Sequence, residues 1–217
     1  MSARTSDAAP ASIAAIILAA GRSSRMDAHK LLLPLNGKPL LAWSIASACD
    51  STARPVIVTL GRAADEVAAA LPTGPYTIVV NQRFAEGMGT SLARAIASLP
   101  PAVAGALILL GDQPFMPTAV IDAVLAAARA QPARIVTGAY GQRQGHPVYL
   151  PRRVFAEALA LRDDAGARSI VAREADAVLR IPLEDEHAVF DVDTLSDYQQ
   201  AQEIARRLAQ SAKNTPS

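Results

Sequence analysis

The chain has 217 residues, of which 51% are hydrophobic and 19% are charged, a balance typical of a protein that buries a core and not of a disordered chain. Its 21 lysines and arginines nearly balance 20 aspartates and glutamates, so the net charge predicts neither a nucleic acid nor a membrane surface as partner. The single cysteine, Cys49, excludes an internal disulfide and a cysteine-based zinc site, and favours a cytoplasmic location.

The two ends of the chain differ in composition from the rest. Residues 1–12 are small and polar and are predicted to be a disordered leader, and residues 211–217 are predicted to be a flexible tail. Residues 13–210 are then expected to form one domain. The apolar run Ile13–Ala20 is much shorter than the roughly 20 residues that a membrane span requires.

From Ile13 to Ala130, short apolar segments alternate with alanine-rich segments whose apolar residues have helical spacing. This alternation predicts four β–α units. The predicted strands are Ile13–Leu18, Pro55–Leu60, Tyr76–Val80 and Ala106–Leu110, and the predicted helices are Lys38–Ala48, Ala63–Leu71, Thr90–Leu99 and Thr118–Ala130. Because each strand is apolar on both faces, we expect a buried parallel sheet in an α/β fold.

The pattern beyond Ala130 is less regular. It predicts short strands near Arg134–Thr137, Pro147–Leu150, Val178–Ile181 and Ala188–Phe190, and helices near Arg152–Leu161, Ala167–Glu174 and Ser196–Ala209. We expect these elements to add a small mixed edge to the parallel sheet. Ligands of open parallel sheets bind at the carboxyl ends of the strands, so the loops after Leu18, Val80 and Leu110 are the predicted functional region.

The loop after the first strand combines small residues with cations. Ala19–Gly21 allow a ligand to approach the backbone closely, and Arg22, Arg25 and Lys30 follow within a few positions. This composition favours an oligophosphate site, with an ordinary turn and a solvated basic patch as the alternative. Neither a Walker phosphate loop nor a GxGxxG dinucleotide turn is present.

Two acidic segments are candidates for binding a divalent cation. Asp112 follows the fourth strand, after Gly111, which is expected to let the backbone turn. Asp191 and Asp193 lie near the end of the chain and would share one face of a strand. One or two carboxylates plus substrate phosphates are a usual environment for Mg²⁺. Capping of neighbouring helices, such as the one near Ser196, is the alternative role for these acids.

Two glycine-containing segments supply further candidates. After the third strand, Asn81, Gly87 and Ser91 offer an amide, backbone donors and a hydroxyl to a nucleotide, although a capped turn would have the same composition. In the segment GQRQGHP, Arg143 is a candidate for holding a phosphate and His146 for a hydrogen bond to the same ligand. A glycine-rich hairpin with a surface histidine is the alternative there.

Four of these motifs together resemble a known family. The string LAAGRSSRMDAHK with the following GKPLL is similar to the nucleotidyltransferase signature, and GDQP, RQGHP and DVDT are most similar to its MobA/MocA-type branch. The resemblance covers Ile13 to about Tyr198 and is greatest to molybdenum cofactor cytidylyltransferases. It implies a Rossmann-like, GT-A-like fold in which an NTP is joined to a phosphorylated small molecule and pyrophosphate is released.

The resemblance also implies roles for individual residues. Nucleotide binding would fall to Leu18, Ala19, Ala20, Gly21, Arg22, Asn81, Gly87 and Ser91. Arg25 and Lys30 would neutralise the triphosphate, while Asp112 and Asp193 would hold Mg²⁺, because the metal-binding acid of the family directly precedes the threonine of DVDT. Arg143 and His146 would bind the acceptor. Asp27, where relatives often have glycine, departs from the pattern.

The identities of both substrates follow from the same resemblance. Guanylyltransferases of this branch typically read LAGG, so Ala20 favours CTP over GTP. Molybdopterin is then the expected acceptor, and a molybdenum hydroxylase the expected recipient. In RDDAGAR, which is similar to a GDxGAR element of the family, Asp164 or Arg168 would border the acceptor. The alternatives are another nucleotide, a sugar phosphate or methylerythritol phosphate as acceptor, or a non-catalytic delivery protein.

Overall fold

The computed structural model describes residues 12–21, 30–162 and 164–213, with side chains to residue 210. These parts of the chain contain nine strands and seven α-helices. The strands are β1 Ile13–Ala19, β2 Pro34–Leu35, β3 Lys38–Pro39, β4 Val56–Leu60, β5 Thr77–Val80, β6 Gly105–Leu110, β7 Ile135–Tyr140, β8 Arg143–Pro151 and β9 Val178–Pro182. The helices are α1 Leu40–Asp50, α2 Ala64–Ala70, α3 Met88–Ala97, α4 Thr118–Ala130, α5 Phe155–Leu159, α6 Ala167–Arg173 and α7 Leu195–Lys213.

Seven of the strands form one sheet in the order β5-β4-β1-β6-β8-β7-β9. All neighbouring pairs are parallel except the two that β8 makes with β6 and β7. The predicted mostly parallel sheet with a mixed edge is therefore confirmed. Because β8 runs against β6, its first residues lie at the edge of the sheet where β1, β4 and β6 end, and this edge holds the functional site described below.

Successive residues of the central strand β1 pack on opposite faces of the sheet. Ala15 and Ile17 belong to a core that α1, α2 and α4 complete, whereas Ile16 and Leu18 belong to a second core built with α3, α5 and α6. All seven residues of β1 are buried, as expected for a strand covered by helices on both sides. The apolar character of both strand faces thus predicts the three-layer α/β architecture correctly.

The last helix, α7, returns the end of the chain to the functional edge. Tyr198, Ala201 and Ala205 pack in a third apolar cluster with Leu35 and with Phe115, which lies just beyond β6. This contact brings residues 190–197 beside the loop that follows β6. In the described ranges, no helix combines the length and the apolarity needed to cross a membrane.

Some predicted element bounds were wrong. The predicted strand Ala188–Phe190 is instead part of a 3-10 turn over Glu186–Val189. Asp185 caps this turn, because its side chain accepts a 3.0 Å hydrogen bond from the backbone N–H of His187. Its apolar residues are buried against the sheet without joining it, so burial alone produced the strand-like pattern. Helix α1 begins later than predicted because Lys38–Pro39 pairs with β2.

Candidate functional site

A cavity of about 890 Å³ opens at the edge of the sheet where β1, β4 and β6 end. This is the position that the parallel strand order predicts for a ligand. Its walls come from the loops after β1, β4 and β6, the start of β8, the region between β5 and α3, the first turn of α6 and residues 189–193. Elements from most of the chain therefore converge on one site.

Lys30 lines this cavity and lies between two carboxylates. Its Nζ donates to Asp112 Oδ2 and to Asp193 Oδ1, each at 2.9 Å, so the two oxygens are separated by no more than twice 2.9 Å. The exposed fraction of the side chain is 11% for Lys30, 27% for Asp112 and 57% for Asp193. The fold thus brings together three predicted site residues that are 82 and 163 positions apart.

The charge of Lys30 is set by these partners. Burial by itself lowers the pKa of a lysine, but the negative charge of Asp112 and the hydrogen bonds to Asp193 and Asp112 leave the pKa of Lys30 above its ordinary value. Lys30 is consequently an ammonium ion at physiological pH. It supplies one positive charge at the point where the two acidic segments meet.

The position of Asp112 depends on close packing at the end of β6. The N–H of Gly111 donates to the carbonyl of Leu18 at 2.9 Å, and a Cβ on Gly111 would lie 2.9 Å from both Ala19 Cβ and Leu41 Cδ1. The chain turns at Gly111 as expected, but Gly111 has no left-handed backbone, so the turn by itself does not require a glycine. Close approach between β6 and the end of β1 is what requires it.

The segment that carries the second acid is not a strand, contrary to the sequence prediction. The residues around Val192 instead run past the loop after β6. The Val192 N–H donates a 3.0 Å hydrogen bond to the carbonyl oxygen of Asp112 in that loop. Gln113 Nε2 donates to Asp191 Oδ1 at 2.9 Å. Both Asp191 and Asp193 nevertheless line the cavity.

The environment of Asp191 differs from that of the two central acids. Burial raises the pKa of Asp191, and the hydrogen bond from Gln113 opposes this shift only in part. Gln113 is itself 4% exposed, so the pair is a buried link between the two acidic segments. Asp191 therefore lines the cavity while its carboxylate is bonded to Gln113.

Asp112 and Asp193 have the chemistry that a hard divalent cation requires. Both offer carboxylate oxygens in the cavity, close enough for one ammonium group to contact both. In the described parts of the chain, no group of three or more His, Cys, Asp or Glu side chains is arranged to hold a metal. Two carboxylates leave the remaining positions of Mg²⁺ or Mn²⁺ to water and substrate oxygens, a usual arrangement for Mg²⁺.

The nucleotide-binding prediction divides into residues that line the cavity and residues that do not. Leu18, Ala19, Ala20, Gly21 and Ser91 line it. No described atom lies within 4 Å of the place where a Cβ on Gly21 would stand, so the backbone there is open to a ligand. Arg22, Arg25 and Asp27 lie outside the described residues.

Asn81 and Gly87 lie behind the cavity wall. The amide of Asn81 donates to Thr90 Oγ1 and to Ser91 Oγ, both at 2.9 Å, and its Oδ1 accepts from the Arg83 N–H. Asn81 is 3% exposed and its hydrogen bonds are directed into the protein. The geometry gives Asn81 the role of orienting Ser91, and gives Gly87 the role of starting α3 with a φ of 127°.

Arg143, His146 and Arg168 form the opposite side of the cavity. The predicted loop GQRQGHP is a tight turn at Gly141, after which β8 begins at Arg143. Arg143 and Arg168 are exposed, and within residues 12–21, 30–162 and 164–213 neither guanidinium has a hydrogen bond or ion pair. As far as the described residues show, both cations on this side are therefore available to an anionic ligand.

His146 adds a neutral hydrogen-bond acceptor to the same side. Its Nδ1 lies 3.1 Å from the carbonyl oxygen of Ile108; since a carbonyl only accepts, Nδ1 carries the proton and Nε2 is left as an acceptor. Burial lowers the pKa of His146; the bond to Ile108 and the charge of Asp112 oppose this shift, and the charge of Arg168 reinforces it. The ring is therefore neutral at physiological pH.

Part of the cavity wall consists of residues that the sequence did not predict. Arg62, Phe84, Met88 and Gln113 line the cavity but were not predicted as site residues. Arg62 lies two residues after the end of β4. The rule that ligands bind at the carboxyl ends of strands identifies it once the loop after Leu60 is included. Phe84 and Met88 carried no chemical signal, because apolar residues of a loop look the same whether they face a ligand or the core.

A Rossmann-like sheet with cations, small residues and two convergent carboxylates at its carboxyl edge defines the class of nucleotidyltransferase-type α/β proteins. The profile of the MobA-like NTP transferase domain matches residues 15–178. The chain belongs to this family. The predicted family and fold class are thereby confirmed.

Relatives with known names cover different shares of the chain. Nicotine blue oxidoreductase of Paenarthrobacter nicotinovorans is 31% identical over 84% of this chain and 93% of its own length. The bifunctional protein GlmU of Sphingopyxis alaskensis is 40% identical over 52% of this chain, which corresponds to 25% of that protein. The chain thus spans about a quarter of the GlmU protein and nearly all of the oxidoreductase.

Solved structures agree with the fold over most of the chain. Rv0371c of Mycobacterium tuberculosis H37Rv superposes with a TM-score of 0.80 at 31% identity and covers 89% of this chain and 99% of its own. A complex of the same protein with manganese has a TM-score of 0.77 at 30% identity and covers 88% of this chain and 98% of its own. A protein similar to this chain over most of its length thus has a structure in complex with manganese.

Proposed function

We propose that this protein transfers CMP from CTP to a phosphorylated acceptor, with release of pyrophosphate, and that the acceptor is molybdopterin or its molybdenum form. The observation that carries the proposal is the meeting of Asp112 and Asp193 at Lys30 inside the cavity. Membership of the MobA-like NTP transferase family supports nucleotidyl transfer. Ala20 and the likeness to the cytidylyltransferase branch support the cytidine nucleotide and the pterin acceptor.

In the proposed reaction, an oxygen of the acceptor phosphate attacks the α-phosphorus of CTP. One P–O bond forms, and the bond between the α-phosphorus and the bridging oxygen of pyrophosphate breaks. A phosphate monoester has a second pKa near 6, so roughly nine in ten are dianionic at pH 7. The nucleophile therefore needs no general base.

The side chains of the cavity then act by alignment and by neutralising charge. Asp112 and Asp193 would hold Mg²⁺, which when bound supplies positive charge to the triphosphate oxygens. Lys30 and Arg25 would meet the charge that develops on the departing pyrophosphate. The ammonium group of Lys30 lies in the same cavity, where it is bonded to both carboxylates.

On the nucleotide side, the open backbone at Gly21 and the hydroxyl of Ser91 are suited to the sugar and phosphates of CTP. Arg22 and Gly87 are retained from the family resemblance as further nucleotide contacts, and Asn81 would act through Ser91. These assignments extend the predicted site along the end of β1 and the start of α3.

On the other side, Arg143 would bind the acceptor phosphate, and His146 Nε2 would accept a hydrogen bond from the acceptor. Arg168, which has no partner in the described ranges, adds a second cation there. The product would be passed to a molybdenum hydroxylase, and the single Cys49 suits the cytoplasm, where such a transfer is expected.

A pyrophosphate-release assay with each of the four NTPs, Mg²⁺ and molybdopterin tests the proposal. We expect release with CTP, and a rise in GTP use in the Ala20→Gly variant. Preference for GTP, or turnover with a sugar phosphate or methylerythritol phosphate alone, would replace the proposed substrates. Ligand binding without pyrophosphate release from any NTP would contradict the proposed transferase activity. The remaining candidates would then be a non-catalytic delivery protein or an activity such as that named for the oxidoreductase relative.

A further inference from the structure

The first turn of α7 carries a capping arrangement that extends beyond the helix. Thr194 precedes the helix, and its Oγ1 accepts from the Asp197 N–H at 3.2 Å, while Asp197 Oδ2 accepts from the Thr194 N–H at 2.7 Å. These reciprocal bonds form a capping box. Asp197 Oδ2 also accepts from the Thr194 hydroxyl at 2.8 Å and from the backbone N–H of Asp193 at 3.1 Å.

The last of these bonds is not needed for capping. The N–H of Asp193 lies outside the helix, and binding it fixes the backbone of a residue whose side chain reaches into the cavity. The hydrogen bonds from Thr194 lower the pKa of Asp197, so its carboxylate is ionised and accepts strongly at physiological pH. One carboxylate oxygen thus restrains two consecutive residues at the edge of the site.

Asp193 has few other restraints. Its side chain is 57% exposed, and its only side-chain partner within the described residues is Lys30. Asp112, by contrast, follows a buried strand and is packed through Gly111. The separation of the two carboxylates is therefore set mainly by what fixes the backbone of Asp193.

We infer that Asp197 is a positioning residue that holds the carboxylate of Asp193 opposite Asp112, so that divalent-cation affinity depends on the cap of α7. The inference rests on the metal site of the proposed function. Without Asp197, the N–H groups of Asp193 and Thr194 turn to water, and the backbone of these two residues gains freedom beyond Val192, which stays bonded to the Asp112 carbonyl. Ordering them again on metal binding then costs free energy and weakens the binding.

Asp122 offers a matched control within the same chain. One of its carboxylate oxygens accepts from the backbone N–H and from the hydroxyl of Thr52, each at 2.9 Å, which reproduces the pair of bonds between Asp197 and Thr194. Asp122 lies on α4 and does not line the cavity. Its removal therefore takes away a similar contact without touching the site.

The test is titration of the purified protein with Mn²⁺ alone, followed by the electron paramagnetic resonance signal of free Mn²⁺. We expect Asp197→Ala to raise the dissociation constant about tenfold, a change of about 1.4 kcal/mol. Asp197→Asn, which keeps an acceptor oxygen, should stay within about threefold of wild type, and Asp122→Ala should not change it. Melting temperatures should fall by similar amounts in the two alanine variants.

Wild-type affinity in Asp197→Ala, an equal loss in Asp122→Ala, or no Mn²⁺ binding by the wild-type protein would each overturn the inference. The outcome is separable from that of the proposed function. Mn²⁺ binding that depends on Asp197 in a protein that releases no pyrophosphate from any NTP would leave the positioning role intact and remove the transferase. Pyrophosphate release by the wild-type protein together with unchanged Mn²⁺ binding in Asp197→Ala would support the transferase and remove the positioning role of Asp197.

Discussion

Asp112 and Asp193 accept hydrogen bonds from one and the same ammonium group, that of Lys30, at equal distances of 2.9 Å. One positive charge of Lys30 is therefore shared by the same two carboxylates that would hold a divalent cation, and it offsets only half of their negative charge. An ammonium ion and a divalent cation cannot occupy one position between two carboxylates. A cation bound between the two oxygens that Lys30 now contacts would therefore displace the ammonium group.

Replacing Lys30 by methionine should have opposite effects on metal binding and on catalysis. Loss of the ammonium leaves two uncompensated carboxylates, which attract a divalent cation more strongly, so Mn²⁺ binding without nucleotide should tighten about tenfold. Pyrophosphate release from CTP should fall by at least about 100-fold, because the charge on the leaving group is no longer met. Lys38→Met, on an exposed residue of β3, is the control for both measurements. Unchanged or weaker Mn²⁺ binding would show that Lys30 does not compete for the site.

Replacing Asp112 by alanine should remove turnover while leaving the fold intact. The side chain is 27% exposed and packs in no apolar cluster, so its loss leaves no cavity in the core. We expect a melting temperature close to that of wild type and a decrease in pyrophosphate release of at least about 100-fold, as for the loss of one electrostatic stabiliser. Asp122→Ala serves again as the control for a lost surface aspartate. Near-normal turnover of Asp112→Ala would refute the proposed metal role.

The sequence was sufficient for the layers of the fold but not for all of its local geometry. The unbroken apolar character of β1, β4 and β6 predicted strands buried on both faces, and these strands are central in the sheet. The same reasoning failed at Ala188–Phe190, because a 3-10 turn packed against the sheet buries apolar residues as a strand does. Periodicity reports burial, and pairing is decided by tertiary contacts that a short segment does not encode.

The candidate site was predictable to a similar extent. Residues named for their chemistry at strand ends, such as Lys30 and Asp112, come together in the cavity. Asn81 was predicted to bind the nucleotide, yet its amide N–H groups donate to Thr90 and Ser91 within the protein. Whether a polar side chain faces a ligand or its own protein depends on the neighbouring side chains that it finds in the folded state. No spacing rule in the chain contains that information.

Replacing two glycines near the site by alanine should affect the free energy of unfolding differently. In Gly111→Ala, the new Cβ would lie 2.9 Å from Ala19 Cβ and Leu41 Cδ1, so we expect a loss of about 1–3 kcal/mol in the free energy of unfolding, as for other overpacked cores. Gly21→Ala meets no described atom within 4 Å and should leave that free energy unchanged while weakening CTP binding. Urea unfolding and nucleotide titration separate the two effects. Equal stability losses in both variants would contradict the packing explanation.

The protonation of His146 should make folding stability fall as the pH decreases. Burial lowers the pKa of His146 below that of an unfolded histidine, with Asp112 opposing and Arg168 reinforcing the shift. Below the unfolded pKa of about 6.5, the unfolded chain therefore binds a proton that the folded protein does not. The free energy of unfolding should then decrease by up to about 1.4 kcal/mol per pH unit, until the pH falls through the pKa of the folded state.

Urea unfolding between pH 8 and pH 5 measures this dependence. In His146→Gln the part of the slope due to this histidine should disappear, whereas His187→Gln, at an exposed position outside the cavity, should keep the wild-type slope. The amide of glutamine replaces a neutral ring without adding a charge, so the comparison isolates protonation from packing. A variant at position 146 that retains the full wild-type slope would assign the pH dependence to other groups and would contradict a neutral, half-buried His146.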